Sequence, residues 1–383
     1  MDDVADIVII GGGPVGGALA LALRDGGFAV TLVEAREAAQ PVGDPRPLAL
    51  SYGSRLILER LGIWDALAPT AIDRIHVSQV GGFGRVALHA AEARVPNLGY
   101  VIDYAELQRA LDGALRDTTP RYLRGARVTA IRDLGESAGV EFNMRGAIGM
   151  IATKLVVVAD GGGFEGSTNV KVVDYHQSAV TTRVSSELPH RNTAFERFTR
   201  GGPLALLPSG EELAVVWTTD HHHARELCDL SATEFLMQLQ RHFGNRLGAF
   251  AGCRTRSLFP LILRYASTVI RKRTVLVGNA AQTLHPVAGQ GFNLGLRDAY
   301  ELGGEIMRCD RHAIRSSAML LAYRGRRRID RGGSLRFTDS LVRLFSNDIA
   351  PLKVARGVGL TLLGCMPPAK NFVVRRMIFG ARG

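Results

Sequence analysis

Cysteine is scarce in this chain, with four in 383 residues, and Cys228, Cys253, Cys309 and Cys365 form no C-x-x-C pair and have no histidine at zinc-ligand spacing. That excludes a disulfide-stapled scaffold and a structural zinc site, and it points to a reducing compartment. No basic leader precedes the first apolar run; Asp2, Asp3 and Asp6 stand where a signal peptide carries Lys or Arg. That run, Ile7 to Leu23, falls short of a membrane span and is split by Gly11 to Pro14 into halves of different period. Internal repeats and low-complexity tracts are missing as well, which excludes solenoids and disordered chains. With 46% hydrophobic and 22% charged residues, a folded protein large enough for two domains is expected.

Acidic residues are the minority charge, and the net charge of +11 calls for an anionic partner or surface. The excess gathers late, at Arg324, Arg326, Arg327, Arg328, Arg331 and Arg336. No nucleic-acid motif or aromatic interleaving accompanies these arginines, so no nucleic-acid partner is expected. Two readings stay open. One is an anionic lipid surface, favoured by the one-faced stripe Phe337, Leu341, Leu344 and Phe345 that follows. The other is a solvated helix face. The run His221-His222-His223 is read as a loop after a strand, where neighbouring side chains point apart, and no metal site is expected.

The N-terminal residues make one βαβ unit. Asp6 to Ile10 and Ala29 to Glu34 are short apolar runs of the buried parallel type, and an Ala/Leu helix lies between them. Their junction carries Gly11-x-Gly13-x-x-Gly16, with Pro14 at the helix start and Glu34 ending the next strand. In that context Gly11 allows the tight turn, Gly13 lets the backbone approach a pyrophosphate, and Gly16 lets helix and strand pack closely. The helix N-terminus attracts phosphate, and Glu34 accepts from a ribose diol while repelling a 2′-phosphate.

Further along, 46–67 reads as helix, Leu107 to Leu115 as helix, and Leu155 to Asp160 as a second buried strand ending before Gly161. Alternating runs across 75–94 and 179–217 read as antiparallel strands. Thr233 to Phe243 reads as helix, Thr274 to Gly278 as a third buried strand, and about Asn293 to Met307 as helix. The last sixty residues or so read as helical throughout.

The expected fold is α/β: a Rossmann-like FAD-binding domain of the glutathione-reductase type, an inserted β-rich substrate domain, and a C-terminal helical segment. The boundaries are 1–75, 100–172 and 264–330 for the first, 76–99 and 173–263 for the second, and 331–383 for the third. A second long glycine-rich turn, Gly278 to Asp298, suits a dinucleotide that carries a flavin. Gly289, Gly291, Phe292 and Asn293 open a helix there and offer N–H donors to the pyrimidine edge of the ring.

The fingerprint, Ala159-Asp160-Gly161 and the string Gly278 to Asp298 together resemble the FAD-dependent aromatic hydroxylases, and within them the ubiquinone-biosynthesis branch that acts on polyprenyl methoxyphenols. Asn279 and Gln282 replace the more usual Asp and His of sister enzymes, and Ala194 to Thr199, Gly202 to Pro208 and Thr338 to Phe345 also look like that subgroup. After Gly161 the chain reads Gly162 to Ser167 where the family has a Ser- and Arg-containing helix.

The resemblance implies FAD as cofactor, NAD(P)H as transient co-substrate, and O2 added at the flavin C4a position to give a hydroperoxide that hydroxylates the ring. It implies cofactor contacts at Arg46, Val128, Asp160, Gly161, Gly278, Asn279 and Pro286, with Arg46 and His285 as catalytic residues. His285 is read either as an aid to phenol deprotonation or as a structural histidine. Implied partners are a polyprenyl phenol, a ubiquinone-biosynthesis protein complex and a membrane surface, with a bacterial cytoplasmic, peripherally membrane-associated location. The alternatives are a prenyl-lipid flavin reductase, a halogenase (disfavoured because Trp64 and Trp217 form no Trp-x-Trp pair) and a non-catalytic subunit of the same fold.

Overall fold

The computed structural model describes the chain except residues 1–2, 38–39, 41–42, 45, 117, 119, 163–168, 311–312, 315, 346–349 and 383. The altered stretch after Gly162 therefore lies outside the described residues.

The apolar runs Ile7 to Ile10 and Leu155 to Val158 are buried on both faces and pair in parallel, Ile7 opposite Leu155 and Ile10 opposite Val158. They are the middle of a parallel sheet ordered Thr274–Leu276, Ala147–Val158, Asp3–Ile10, Val30–Glu34, Arg121–Arg124. Strand alternation divides its two faces. Ile7, Ile9, Leu155 and Val157 pack with the apolar residues of the helices Pro14–Ala22, Tyr104–Arg116 and Gln290–Met307. Val8, Ile10, Val156 and Val158 pack instead on the antiparallel strands Ala126–Asp133 and Ala138–Met144. Covered on both sides, the sheet needs continuous apolar strands, and that is why they could be read from sequence.

A nine-stranded sheet holds the β-rich part. Its strands Thr193–Phe198, Pro203–Ser209 and Glu212–Asp220 send Phe195, Leu204, Leu206, Val215 and Trp217 toward Phe235 and Leu239 of the helix Ala232–Phe243. The strands Arg74–Gln79 and Arg85–His89 extend this sheet through a parallel pairing of Thr193–Phe198 with Arg74–Gln79. Three helices, Ser317–Phe345, Ala350–Cys365 and Pro367–Phe379, end the described chain as expected. Val342, Phe345, Leu360, Val374 and Ile378 from these helices pack with Val86, Leu88, Ala194 and Phe198.

Two local readings are corrected. Residues 46–67 are not one helix. Pro47–Ser51 is a strand paired with Gly99–Asp103, and the helix is confined to Tyr52–Arg60. Ser51 caps it, its Oγ accepting from Ser54 N at 3.1 Å, a start signal that the downstream apolar spacing of Leu56, Ile57, Leu61 and Trp64 does not carry. The histidine run is not a loop but the first turn of the helix His221–Asp229, capped by Asp220, whose Oδ1 accepts from His223 N at 2.9 Å.

Candidate active site

One cavity of about 1980 Å³ runs between the two sheets and the C-terminal helices. Gly11, Gly13, Pro14, Glu34, Arg46, Val128, Asp160 and Gly161 line it, together with Asn279, Pro286, Gly289, Gly291 and Phe292 of the second glycine turn. Elements far apart in sequence thus bring most of the expected cofactor residues onto one wall.

The glycines of the fingerprint divide the work. A Cβ on Gly16 would lie 1.9 Å from Gly11 O, and one on Gly11, at φ +102°, 2.6 Å from Ala159 O. Both are packing requirements between helix and strands. A Cβ on Gly13 would meet nothing nearer than Tyr104 Oη at 3.8 Å, so Gly13 keeps its side open for a ligand. Glu34 is fixed by its own turn: Oε2 accepts from Gly12 N at 2.5 Å and Oε1 from Arg36 N at 2.7 Å. Behind it, Gln108 Nε2 donates to Gly12 O at 2.8 Å, and Asp112 pairs with Arg36 at 3.2 Å and Arg124 at 3.1 Å.

Two helix N-termini open onto this cavity. Neither Pro14–Ala22 nor Gln290–Met307 has a side-chain cap or an acid in its first turn. Their first-turn N–H groups are therefore available to anionic or carbonyl oxygens of a ligand. Gly289, in the left-handed region at φ +60°, sets the second start; a Cβ there would also press on the Ala49 Cβ at 2.9 Å. One long anionic dinucleotide with a polar-edged ring fits this pair of starts and Glu34 beyond them.

Four expected residues stand behind the cavity rather than on it. Gly16 and Gly278 are close-packing positions, a Cβ on Gly278 lying 3.1 Å from both γ-carbons of Val15. Asn293 is a buried clamp. Its Oδ1 accepts from Ser51 N at 2.8 Å and Ser54 Oγ at 2.6 Å, and its Nδ2 donates to Ala49 O at 2.9 Å and Gly289 O at 2.6 Å. His285 is 1% exposed. Its Nδ1 accepts from Val287 N at 3.1 Å, its ring meets Tyr175 edge-on at 5.5 Å, and burial pushes its pKa down to about 4. That geometry fits the structural-histidine reading at Nδ1, while Nε2 is buried with no hydrogen-bond partner among the described residues.

Arg46 lines the cavity as a bidentate partner of Asp44, with Nε at 2.8 and 2.9 Å from the two carboxylate oxygens. The late arginines do not act as a block. Arg324, Arg326, Arg328 and Arg336 are exposed, while buried Arg327 pairs with Asp298 at 2.7 Å and Asp330 at 2.6 Å. Asp298 in turn accepts from Gly278 N and from Gln282 Nε2, so this ion pair props the second glycine turn. His221 goes to Ser178, and His222 and His223 share Glu226. Among the described residues, ligand atoms of Asp174, His176 and His221 come within 4.8 Å of one another, at the surface.

The FAD binding domain family matches residues 4–331. Ubiquinone hydroxylase UbiL of Rhodospirillum rubrum is 35% identical over 98% of this chain and 89% of its own length. This chain belongs to the FAD-dependent hydroxylases of ubiquinone biosynthesis. The 3-demethoxyubiquinol 3-hydroxylase of Escherichia coli is 33% identical over 93% of both proteins. The p-nitrophenol 4-monooxygenase PnpA of Pseudomonas putida DLL-E4 has the same fold, with a TM-score of 0.81 over 100% of both chains at 18% identity.

The hydroxylase is an FAD-dependent monooxygenase of a family that typically uses O2 and NAD(P)H as co-substrates. Its cavity also has a wall that sequence reading missed. Arg36, Tyr104 and Gln108 frame the Glu34 end, and Glu196 stands in the apolar far half. The strand alternation in Thr193–Phe198 was a usable signal for Glu196, since it puts residues 194, 196 and 198 on one face.

Proposed function

We propose that the hydroxylase oxidises the ring of a polyprenylated methoxyphenol, with the ring beside the second glycine turn and the prenyl chain in the apolar half of the cavity. The observation that carries this reading is the size and polarity of the cavity. Its volume of about 1980 Å³ exceeds the roughly 300–1,000 Å³ of ordinary small-molecule pockets. Beyond the flavin-sized polar end it is lined by Phe337, Leu341, Leu344, Phe345, Leu360 and Leu363. Such a wall binds hydrocarbon and sheds water.

Bound FAD supplies activated oxygen, using electrons from NAD(P)H. The protein's part is to hold the ring in line and keep water out. Gly13 and the N–H groups after it receive the pyrophosphate, Glu34 the ribose, and the turn from Pro286 to Phe292 the ring system. Leu207, Val216 and Phe198 from the sheet close over the reacting region.

The same helices support a membrane-surface location. No helix among the described residues is long and apolar enough to cross a membrane. Ala350–Cys365, however, lines the cavity with Leu360 and Leu363 while Val354, Val358 and Leu362 face outward, each at least 42% exposed. A helix apolar on both faces suits an enzyme that draws a lipid-soluble phenol from a bilayer.

The test is turnover of a short-chain prenylated methoxyphenol by FAD-loaded protein with NADPH under labelled O2. Phenol-stimulated NADPH oxidation and one labelled oxygen in the product are expected. Reduced product without label would establish the reductase instead.

A further inference from the structure

With His285 behind the wall, the cavity has no histidine beside the proposed ring site, and one carboxyl group stands in its place. Glu196 sits in the middle of a cross-strand row. Val86 opposes Val77, Val77 opposes Glu196, Glu196 opposes Ala205, and Ala205 opposes Val216. All five line the cavity, four of them apolar. Along its own strand Glu196 is flanked by Ala194 and Phe198, which share a packing cluster with Val287 of the second glycine turn. The carboxyl thus shares a strand face with side chains of the same apolar cluster as the turn expected beside the flavin.

Nothing pairs with it. Glu196 has no hydrogen-bond or ion-pair partner among the described residues, and its carboxyl is not among the side-chain atoms sealed from solvent. Val77 and Ala205 face it from the neighbouring strands. From the C-terminal helices comes Phe345, stacked on Phe198 at 3.8 Å between centroids, with Arg356 behind it donating to Leu344 O at 3.0 Å and Phe345 O at 3.2 Å. Arg197, Arg246 and His76 gather together, on the face to which the neighbouring odd position of the strand points. A natural globular protein rarely leaves a carboxyl unpaired in an apolar wall without a ligand to meet it.

We propose that Glu196 is the catalytic base of this hydroxylase, accepting the proton of the phenolic hydroxyl as the ring takes oxygen. This rests on the phenolic substrate reading above. The phenol O–H bond breaks and a carboxyl O–H bond forms, and the electron pair left on the ring oxygen raises the nucleophilicity of the ring carbon that is attacked. That carbon is oxidised by one atom of O2. The second atom leaves as water, its two electrons and two hydrogens supplied by the hydride of NAD(P)H and one solvent proton, while the proton shed by the attacked carbon ends on the new hydroxyl. The ring oxygen then recovers its proton from Glu196, and the carboxylate is restored. Desolvation alone pushes the Glu196 pKa up to about 7, so the group sits where a base for this work is effective.

Glu196→Gln keeps the shape and removes the base. Three measurements on FAD-loaded protein test it. First, kcat/KM with a prenylated phenol is expected to fall by about 100-fold or more, with the wild-type rise through neutral pH lost. Second, a fluorinated phenol already ionised at the assay pH is expected to restore E196Q to near wild-type rates, which a merely structural role cannot do. Third, the wild type is expected to lose thermal stability relative to E196Q as pH rises from about 4.5 to 7, because the folded carboxyl resists ionisation that the unfolded chain permits. Retention of activity within about threefold in E196Q, or an equal loss on the ionised phenol, overturns the proposal. Failure of the wild type itself to turn over any phenol overturns the substrate reading, and this one with it; an active wild type matched by E196Q overturns the Glu196 proposal alone.

Discussion

Gly13 and Gly16 belong to one motif, and the structure assigns them opposite failures when a methyl group is added. Gly13 has φ −66° and ψ −179°, a backbone conformation open to any residue, and its Cβ would project into the cavity with Tyr104 Oη at 3.8 Å. Gly13→Ala is therefore expected to fold normally, with any change in the free protein within about 1 kcal/mol and in the stabilising direction. Its methyl group occupies the space where a pyrophosphate oxygen must meet the N–H groups of the helix start. Losing one or two charge-assisted hydrogen bonds there costs about 1.5–3 kcal/mol, which is roughly 10- to 150-fold in the FAD dissociation constant. Gly16→Ala is different, because its Cβ would lie 1.9 Å from Gly11 O, and the helix must move off the strand. That overpacking costs at least about 1–3 kcal/mol of stability before any ligand is added. The assay is flavin titration by fluorescence quenching together with thermal unfolding of the FAD-stripped proteins. If G13A binds FAD as tightly as the wild type, or if it unfolds as early as G16A, the division of labour argued here is wrong.

Arg327→Met leaves the buried Asp298 carboxylate without its cation, and about 3–5 kcal/mol of stability is expected to go. With an unfolding entropy of roughly 2 cal/mol/K per residue over 383 residues, that is a fall in Tm of about 4–6 °C, and the double variant with Asp298→Asn is expected to lose less than R327M alone. His285, with its folded pKa near 4 and an unfolded value near 6.5, is held neutral, so the stability it contributes is complete above pH 6.5 and lost as pH falls toward 4. His285→Asn is expected to flatten that part of the acid limb in a pH series of thermal melts, and an unchanged limb would refute the burial argument. Val358→Asp with Leu362→Asp puts charge on the outward face of Ala350–Cys365 and is expected to abolish sedimentation with anionic vesicles while sparing turnover of a water-soluble short-chain phenol. Equal sedimentation of variant and wild type would remove the membrane-surface proposal.

Much of the nucleotide-binding part was legible because its signals are local. A buried parallel strand must be a continuous apolar run, and the tight turn after it must be glycine, so Ile7 to Gly16 and Thr274 to Gly278 announce themselves. The C-terminal helices were legible for the same reason, from a one-faced apolar period. What failed was reading where an element begins. At 46–67 the apolar spacing of Leu56, Ile57 and Leu61 was real, but pairing with Gly99–Asp103, an event fifty residues away in sequence, claimed Pro47–Ser51 for a strand. At His221 the cap that starts the helix is Asp220, one residue before the run that drew attention.

The substrate end of the cavity was illegible for a deeper reason. Asn293 and His285 sit in the most suggestive stretch of the sequence, yet both hold backbone: Asn293 bonds Ser51, Ala49 and Gly289, and His285 takes the N–H of Val287 at Nδ1. A motif residue can matter by fixing the loop that carries the chemistry, and its side chain then points away from the ligand. Glu196 is the converse. Strand alternation puts Glu196 on one face with residues 194 and 198, but what makes it special is the company of Val77, Ala205 and Val216 from strands separated by up to 139 positions. An acid is ordinary in a sequence and costly in an apolar wall, and only the register of the sheet turns the first into the second.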